Sequence, residues 1–170
     1  MELPEHKMRY RFYLLSLLVF LLDHWTKWIV RTRMDLDDRI EVIPDYLRIS
    51  YVKNSGVAFG LFDANPSAWK PYLLAAMAVI AVIFIVIYSS RMPIDRTLLQ
   101  AALAVTLGGI LGNFTDRLFH KYVVDFIELH FQDRFHWPTF NVADTAITIG
   151  IALLMLDILK NPEAQEKELA

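Results

Sequence analysis

The stretch YLLAAMAVIAVIFIVIY, Tyr72 to Tyr88, carries no polar side chain except its two terminal tyrosines. A water-soluble helix shows a polar stripe, and this run has none. A helix crossing about 30 Å of hydrocarbon needs roughly 20 such residues. Three further stretches approach that length: about 10–30, with FYLLSLLVFLL as its unbroken part; about 97–115, TLLQAALAVTLGGILGNFT; and about 142–159. Their polar residues lie mainly near one end. A hydrophobic fraction of 55% and a mean hydropathy of +0.35 agree. The expectation is one polytopic domain over residues 1–170, an all-α membrane protein with four transmembrane helices. A soluble helical bundle is the alternative, and the second stretch argues against it. The first stretch also has the outline of a signal peptide, because Lys7, Arg9 and Arg11 precede an apolar core. No small-x-small site follows, so an uncleaved helix is expected.

Composition removes several classes of chemistry. The net charge of -2 gives no basic signature, so no nucleic-acid partner is expected. Cysteine is absent, which excludes disulfides, thiolate metal sites and a cysteine nucleophile. The histidines are scattered without H-E-x-x-H spacing, and Ser16, Ser50, Ser55 and Ser67 lack a G-x-S-x-G setting. Neither a metal nor another cofactor is expected.

Four spans put both termini on one side of the membrane. The loops 31–70 and 118–139 then share the other side, together with Trp25, Trp28, Trp69 and Trp137, rings that prefer the headgroup level. Basic residues are balanced between the two sides and do not fix the orientation. In the first of these loops, RIEVIP and YLRISYVKN alternate with period two between turn residues, which predicts two short strands lying on the membrane. In the second, VVDFIELHF is strand or short helix, and periodicity does not separate them.

Every notable polar group falls on that loop side. Asp23 and Lys27 share a helix face and can pair. Gly108 and Gly112 have the small-xxx-small spacing of close helix packing. Asp116 can pair with its neighbour Arg117 or tie down the helix end, and Arg117 can snorkel to headgroups. Two carboxylates then remain: Asp125 in VVDFI, and Asp144, which opens the fourth apolar run in FNVADTAITIG. A carboxylate placed there costs free energy in a membrane. Two facing aspartates share one proton, so one can accept a proton from water while the other donates to a peptide carbonyl.

At these residues the sequence resembles the lipoprotein signal peptidases, or signal peptidase II, of bacterial inner membranes. The blocks are DHWTK (Asp23 to Lys27), NSGVAFG (Asn54 to Gly60), GGILGNFTDR (Gly108 to Arg117), VVDFI (Val123 to Ile127) and FNVAD (Phe140 to Asp144). They stand in the family's order and span most of the chain. Ile110 and the pair Phe114-Thr115 depart from its usual pattern. The resemblance implies a four-helix aspartyl protease with both termini cytoplasmic and a small β-sheet and second loop in the periplasm. Asp125 and Asp144 would be the catalytic dyad. Asn54, Asn113, Arg117 and Asn141 would bond the substrate backbone or orient the dyad, and Gly56 would allow close backbone approach. Asp23, Lys27, Gly108, Gly112 and Asp116 would be structural. The substrates would be diacylglyceryl-modified prolipoproteins, met among membrane lipids and cut just before the lipidated cysteine, with the cyclic peptide globomycin as inhibitor. An ion-coupled transporter and a non-enzymatic scaffold are the competing classes.

Overall fold

The computed structural model describes residues 5–56, 69–132 and 134–161. Four helices, α1 (Glu5–Arg33), α2 (Lys70–Arg91), α3 (Thr97–His120) and α4 (Val142–Lys160), each cover one of the apolar stretches. All four are long and apolar enough to cross a membrane. Between α1 and α2 lie β1 (Arg39–Ile43) and β2 (Leu47–Asn54). Between α3 and α4 lie β3 (Val123–Phe131) and β4 (Phe135–His136). Val57 to Gly60 of the NSGVAFG block lie outside the described residues.

Local chemistry sets the boundaries. Pro71 sits in the first turn of α2, where a missing N–H is harmless. The helix stops where Met92 turns extended, its N–H bonded to Tyr88 O, just before Pro93. α3 ends on Lys121 in the left-handed region, φ 67°, with its N–H returned to Arg117 O. The β1–β2 hairpin turns through Pro44 and Asp45, which also takes positive φ, 67°, and closes with Tyr46 N–H to Ile43 O at 3.0 Å.

The sheet runs β1-β2-β3-β4, every neighbour antiparallel. The second loop is therefore part of the first loop's sheet rather than a separate element, and VVDFIELHF is one of its two inner strands. Pairing sets Val123 opposite Asn54 and Asp125 opposite Val52, which brings Asn54 and Asp125 to one place.

Helix α3 is the hub. It packs against α1, α2 and α4 and is the most deeply buried of the four, whereas α2 is mostly exposed and peripheral. Glycine permits the close approach. A Cβ on Gly108 would lie 2.6 Å from Ser16 O and 2.7 Å from Val19 Cβ of α1, and one on Gly109 would lie 2.5 Å from Ala143 O of α4. Ile85 of α2 packs with Leu99, Leu103 and Leu107 of α3. A second cluster, Val30, Tyr51, Val124 and Phe126, fastens the end of α1 to the sheet. At the opposite end of the bundle, Arg9 donates to Ser89 O at 3.0 Å, and Arg96 pairs with the buried Asp157.

Candidate active site

The end of the bundle that carries the sheet gathers the start of α4, the end of α3, the C-terminal part of α1 and strands β2 and β3. The fourth helix begins with a capping box. Asn141 is the N-cap, its Oδ1 accepting the Asp144 N–H at 2.9 Å, while Asp144 Oδ2 accepts the Asn141 N–H at 3.2 Å. FNVAD is thus a helix-start signal as well as a motif. Asp144 Oδ1 remains available and accepts Asn113 Nδ2 at 2.7 Å. Asp125 projects from β3, where Oδ1 accepts Asn141 Nδ2 at 2.6 Å and Oδ2 accepts Asn54 Nδ2 at 2.8 Å.

Each asparagine has its amide oriented by a group that can only donate. Asn54 Oδ1 accepts the Gly56 N–H at 2.9 Å, Asn141 Oδ1 accepts the Asp144 N–H, and Asn113 Oδ1 accepts Lys27 Nζ at 2.9 Å. With the oxygens so engaged, the NH₂ ends must meet the carboxylates. Asn141 Nδ2 also reaches Asn113 Oδ1 at 3.2 Å. The two aspartates are therefore joined through Asn141, which bonds the side chain of one and the backbone of the other.

Electrostatics separates the aspartates from ordinary surface acids. Burial, and next the charge of Asp144, push the Asp125 carboxyl up to about 7, against hydrogen bonds from Asn54 and Asn141 and the charge of Lys27. Carboxyl groups that sense each other titrate as a pair. A state with one protonated and one ionised member near neutral pH is open to this site, and acid–base chemistry on a water molecule needs that state.

Behind the pair lies a charged quartet, three members buried and Arg31 half-buried. Lys27 Nζ is 2.8 Å from Asp23 Oδ2 and 3.0 Å from Asp116 Oδ2, with neither Lys27 nor Asp23 exposed at all, and Arg31 Nη1 is 3.2 Å from Asp116 Oδ1. Two cations face two anions, the balance that buried charge requires. Asp23 Oδ2 also lies against Gly112, where a Cβ would come within 2.5 Å of it.

Several placements differ from those the sequence suggested. Asp116 pairs with Lys27 and Arg31, not with Arg117, because adjacent residues on a helix diverge. Instead of snorkelling to headgroups, Arg117 donates from Nη2 to Gly56 O at 3.2 Å and from Nη1 to Asn113 O at 3.3 Å. It thereby straps the turn after β2 onto α3. The structure brings together Asn54, Gly56, Asn113, Arg117, Asn141, Asp125 and Asp144. Arg31 was overlooked, although Asp23, Lys27 and Arg31 recur every fourth residue and so line one helix face. The Ala143 N–H, bonded to Asp23 Oδ1 at 2.9 Å, has no signal in sequence. Among the described residues, no three His, Asp or Glu side chains are grouped to hold a metal ion.

Comparison with known proteins extends the resemblance over most of the chain. The sequence model of signal peptidase II matches residues 15–160. A lipoprotein signal peptidase of Alteromonas mediterranea is 40% identical over 158 residues, covering 93% of this chain and 85% of that one. One from Acinetobacter baylyi is 43% identical over 143 residues, covering 84% and 78%. Among solved structures, a bacterial membrane enzyme at 2.3 Å resolution superposes with a TM-score of 0.80 at 32% identity over 89% of each chain. Another at 1.9 Å gives 0.77 at 30% identity, covering 89% of this chain and 94% of that one. The extent of these matches, on a chain with four helices able to cross a membrane, settles the assignment: this is a multi-pass membrane peptidase, and it belongs to the signal peptidase II family.

Proposed function

We propose that the chain removes signal peptides from diacylglyceryl-modified prolipoproteins, cutting just before the lipidated cysteine, with Asp125 and Asp144 as an aspartyl dyad. The observation that carries the reading is Asn141, whose amide bonds the Asp125 carboxylate and caps the helix turn that holds Asp144. The ionised carboxylate takes a proton from water as its oxygen attacks the scissile carbonyl carbon. The protonated member gives its proton to the carbonyl oxygen. As the tetrahedral intermediate collapses, the carboxyl that took the water proton gives it to the departing amine, the other carboxylate recovers a proton from the hydroxyl that becomes the carbonyl, and the dyad is restored.

Asn54, Asn113 and Asn141 orient the dyad, and Arg117 with Gly56 forms the wall along which the substrate backbone runs. In this reading the chain sits in the bacterial inner membrane with both termini cytoplasmic, and the sheet and dyad face the periplasm. The diacylglyceryl anchor holds the scissile bond at the membrane boundary, the depth of Asp144 at the start of α4, and so reduces the entropy lost in reaching a reactive pose. Globomycin, a cyclic peptide, would occupy the same site.

The test is cleavage of a lipid-modified precursor by detergent-purified protein. Asp125→Asn and Asp144→Asn should each lose at least about a thousandfold in turnover, within the range of general acid–base contributions. Undiminished turnover in either variant removes that residue from the dyad. A precursor lacking the diacylglyceryl group should be cleaved poorly, and equal cleavage contradicts the anchoring argument.

A further inference from the structure

Lys27 lies behind the aspartates, not against them. Its buried Nζ has three partners, Asp23 Oδ2 at 2.8 Å, Asp116 Oδ2 at 3.0 Å and Asn113 Oδ1 at 2.9 Å. The first two contacts balance charge. The third does not, because Asn113 carries none. An amide has two ends of nearly the same shape, and only the NH₂ end of Asn113 can donate to Asp144. Turned over, Asn113 would set its oxygen against the Asp144 carboxylate and its NH₂ against Lys27, two repulsions at once. Asn141 Nδ2 also favours the observed orientation, but at 3.2 Å, and its closer partner is Asp125 at 2.6 Å.

We propose that Lys27 is a positioning residue of the peptidase: by holding the oxygen of Asn113 it fixes the Asn113 NH₂ on Asp144 and so sets the direction in which that carboxyl group faces. The assignment rests on Asp144 belonging to the dyad. The contact route from Lys27 to the dyad runs through one uncharged side chain, beside the through-space charge that it exerts on Asp125. The positioning effect therefore falls on turnover rather than on substrate binding, and it disappears when that side chain is gone.

The experiment measures kcat and KM for the lipid-modified precursor, with melting temperature, in the parent, Lys27→Met, Asn113→Ala and the double variant. Lys27→Met should lower kcat about tenfold to a hundredfold, the range carried by the outer partners of functional ligands. KM should stay within about twofold of the parent, because binding surfaces are untouched. Read at each variant's own pH optimum, where the charge of Lys27 on Asp125 no longer matters, the lysine substitution added to Asn113→Ala should cause no further loss, the signature of two residues acting as one unit. Unchanged kcat in Lys27→Met, or a double variant whose loss is the product of the two single losses, overturns the proposal. Should Lys27→Met fail to fold with its two aspartates unpaired, Lys27→Met/Asp116→Asn removes one charge of each sign and replaces it in both backgrounds. Asp144→Asn in the same assay separates the two readings. Turnover in that variant sinks the dyad, whereas its loss alongside independent Lys27 and Asn113 effects sinks only the positioning role.

Discussion

Asp23 Oδ1 accepts the backbone N–H of Ala143 at 2.9 Å, joining α1 to the first turn of α4 across 120 positions of the chain. The same carboxylate holds Lys27 through Oδ2. One buried side chain therefore fastens both the helix that begins with the capping box and the lysine behind Asn113. Asp23→Ala leaves the Ala143 N–H without its partner and strips Lys27 of one of its two anions. Breaking a buried pair from one side costs about 3–5 kcal/mol. The expected outcome is a marked fall in unfolding midpoint in detergent. An unchanged midpoint would mean that the pair contributes nothing to holding α1 on α4.

That contact also shows where sequence stops being informative. Asp23, Lys27 and Arg31 recur at helical spacing, so a charged stripe on one face was legible from the chain alone. Its partner was not. Asp116 stands next to Arg117, and adjacency suggests a local pair, but the two side chains leave the helix in different directions and serve different neighbours. The strand β3 was ambiguous for a physical reason. Val123, Val124, Asp125 and Phe126 are all buried, because this first part of the strand is covered on both faces and alternation vanishes there; farther on, Glu128 and His130 are buried while Leu129 and Phe131 are exposed, the reverse of the usual pattern. The motif residues were visible as residue types. That three asparagines turn their NH₂ ends onto two carboxylates is a property of the assembled fold, because each amide takes its orientation from a donor elsewhere in the fold.

The glycines of α3 make a prediction about packing. Gly108 faces the backbone of α1, and Gly109 faces that of α4. A methyl group on either meets a main-chain oxygen within 2.6 Å, and a main chain cannot swing aside as a long side chain can. Gly108→Ala and Gly109→Ala should each destabilise by about 1–3 kcal/mol, the usual toll of overpacking. Thermal unfolding in detergent measures it. Either variant melting with the parent shows that the helices can separate at that point without loss.

Arg117 spans two carbonyl groups with one guanidinium, and the distance between its two nitrogens is what lets it do so. Lysine offers a single nitrogen and cannot strap Gly56 while holding Asn113 O. Hydrogen bonds from charged groups contribute about 1.5–3 kcal/mol each. Arg117→Ala should therefore lower kcat/KM for the lipid-modified precursor by about ten- to several hundredfold, with Arg117→Lys between it and the parent. Arg117→Lys with full activity would show that charge alone suffices and that the strap is unnecessary.

The last prediction concerns pH. Burial and the charge of Asp144 hold the Asp125 carboxyl near 7, well above its ordinary 3.8. The folded chain thus binds this proton more tightly than the unfolded chain does. Stability linked to Asp125 is complete below about pH 4, declines as pH rises, and is gone once pH passes about 7. Asp125→Asn cannot ionise, so its melting temperature should lack that decline. Under the proposed dyad, activity should follow the same proton. If the dyad works with one proton between its members, kcat/KM should fall as pH rises through about 7 and Asp125 loses it. Asn54 donates to the ionised Asp125, so Asn54→Ala should move that alkaline limb to higher pH. An alkaline limb that stays in place in Asn54→Ala, or a parent whose activity is flat from pH 6 to 9, would disconnect Asp125 from the proton that the reaction uses.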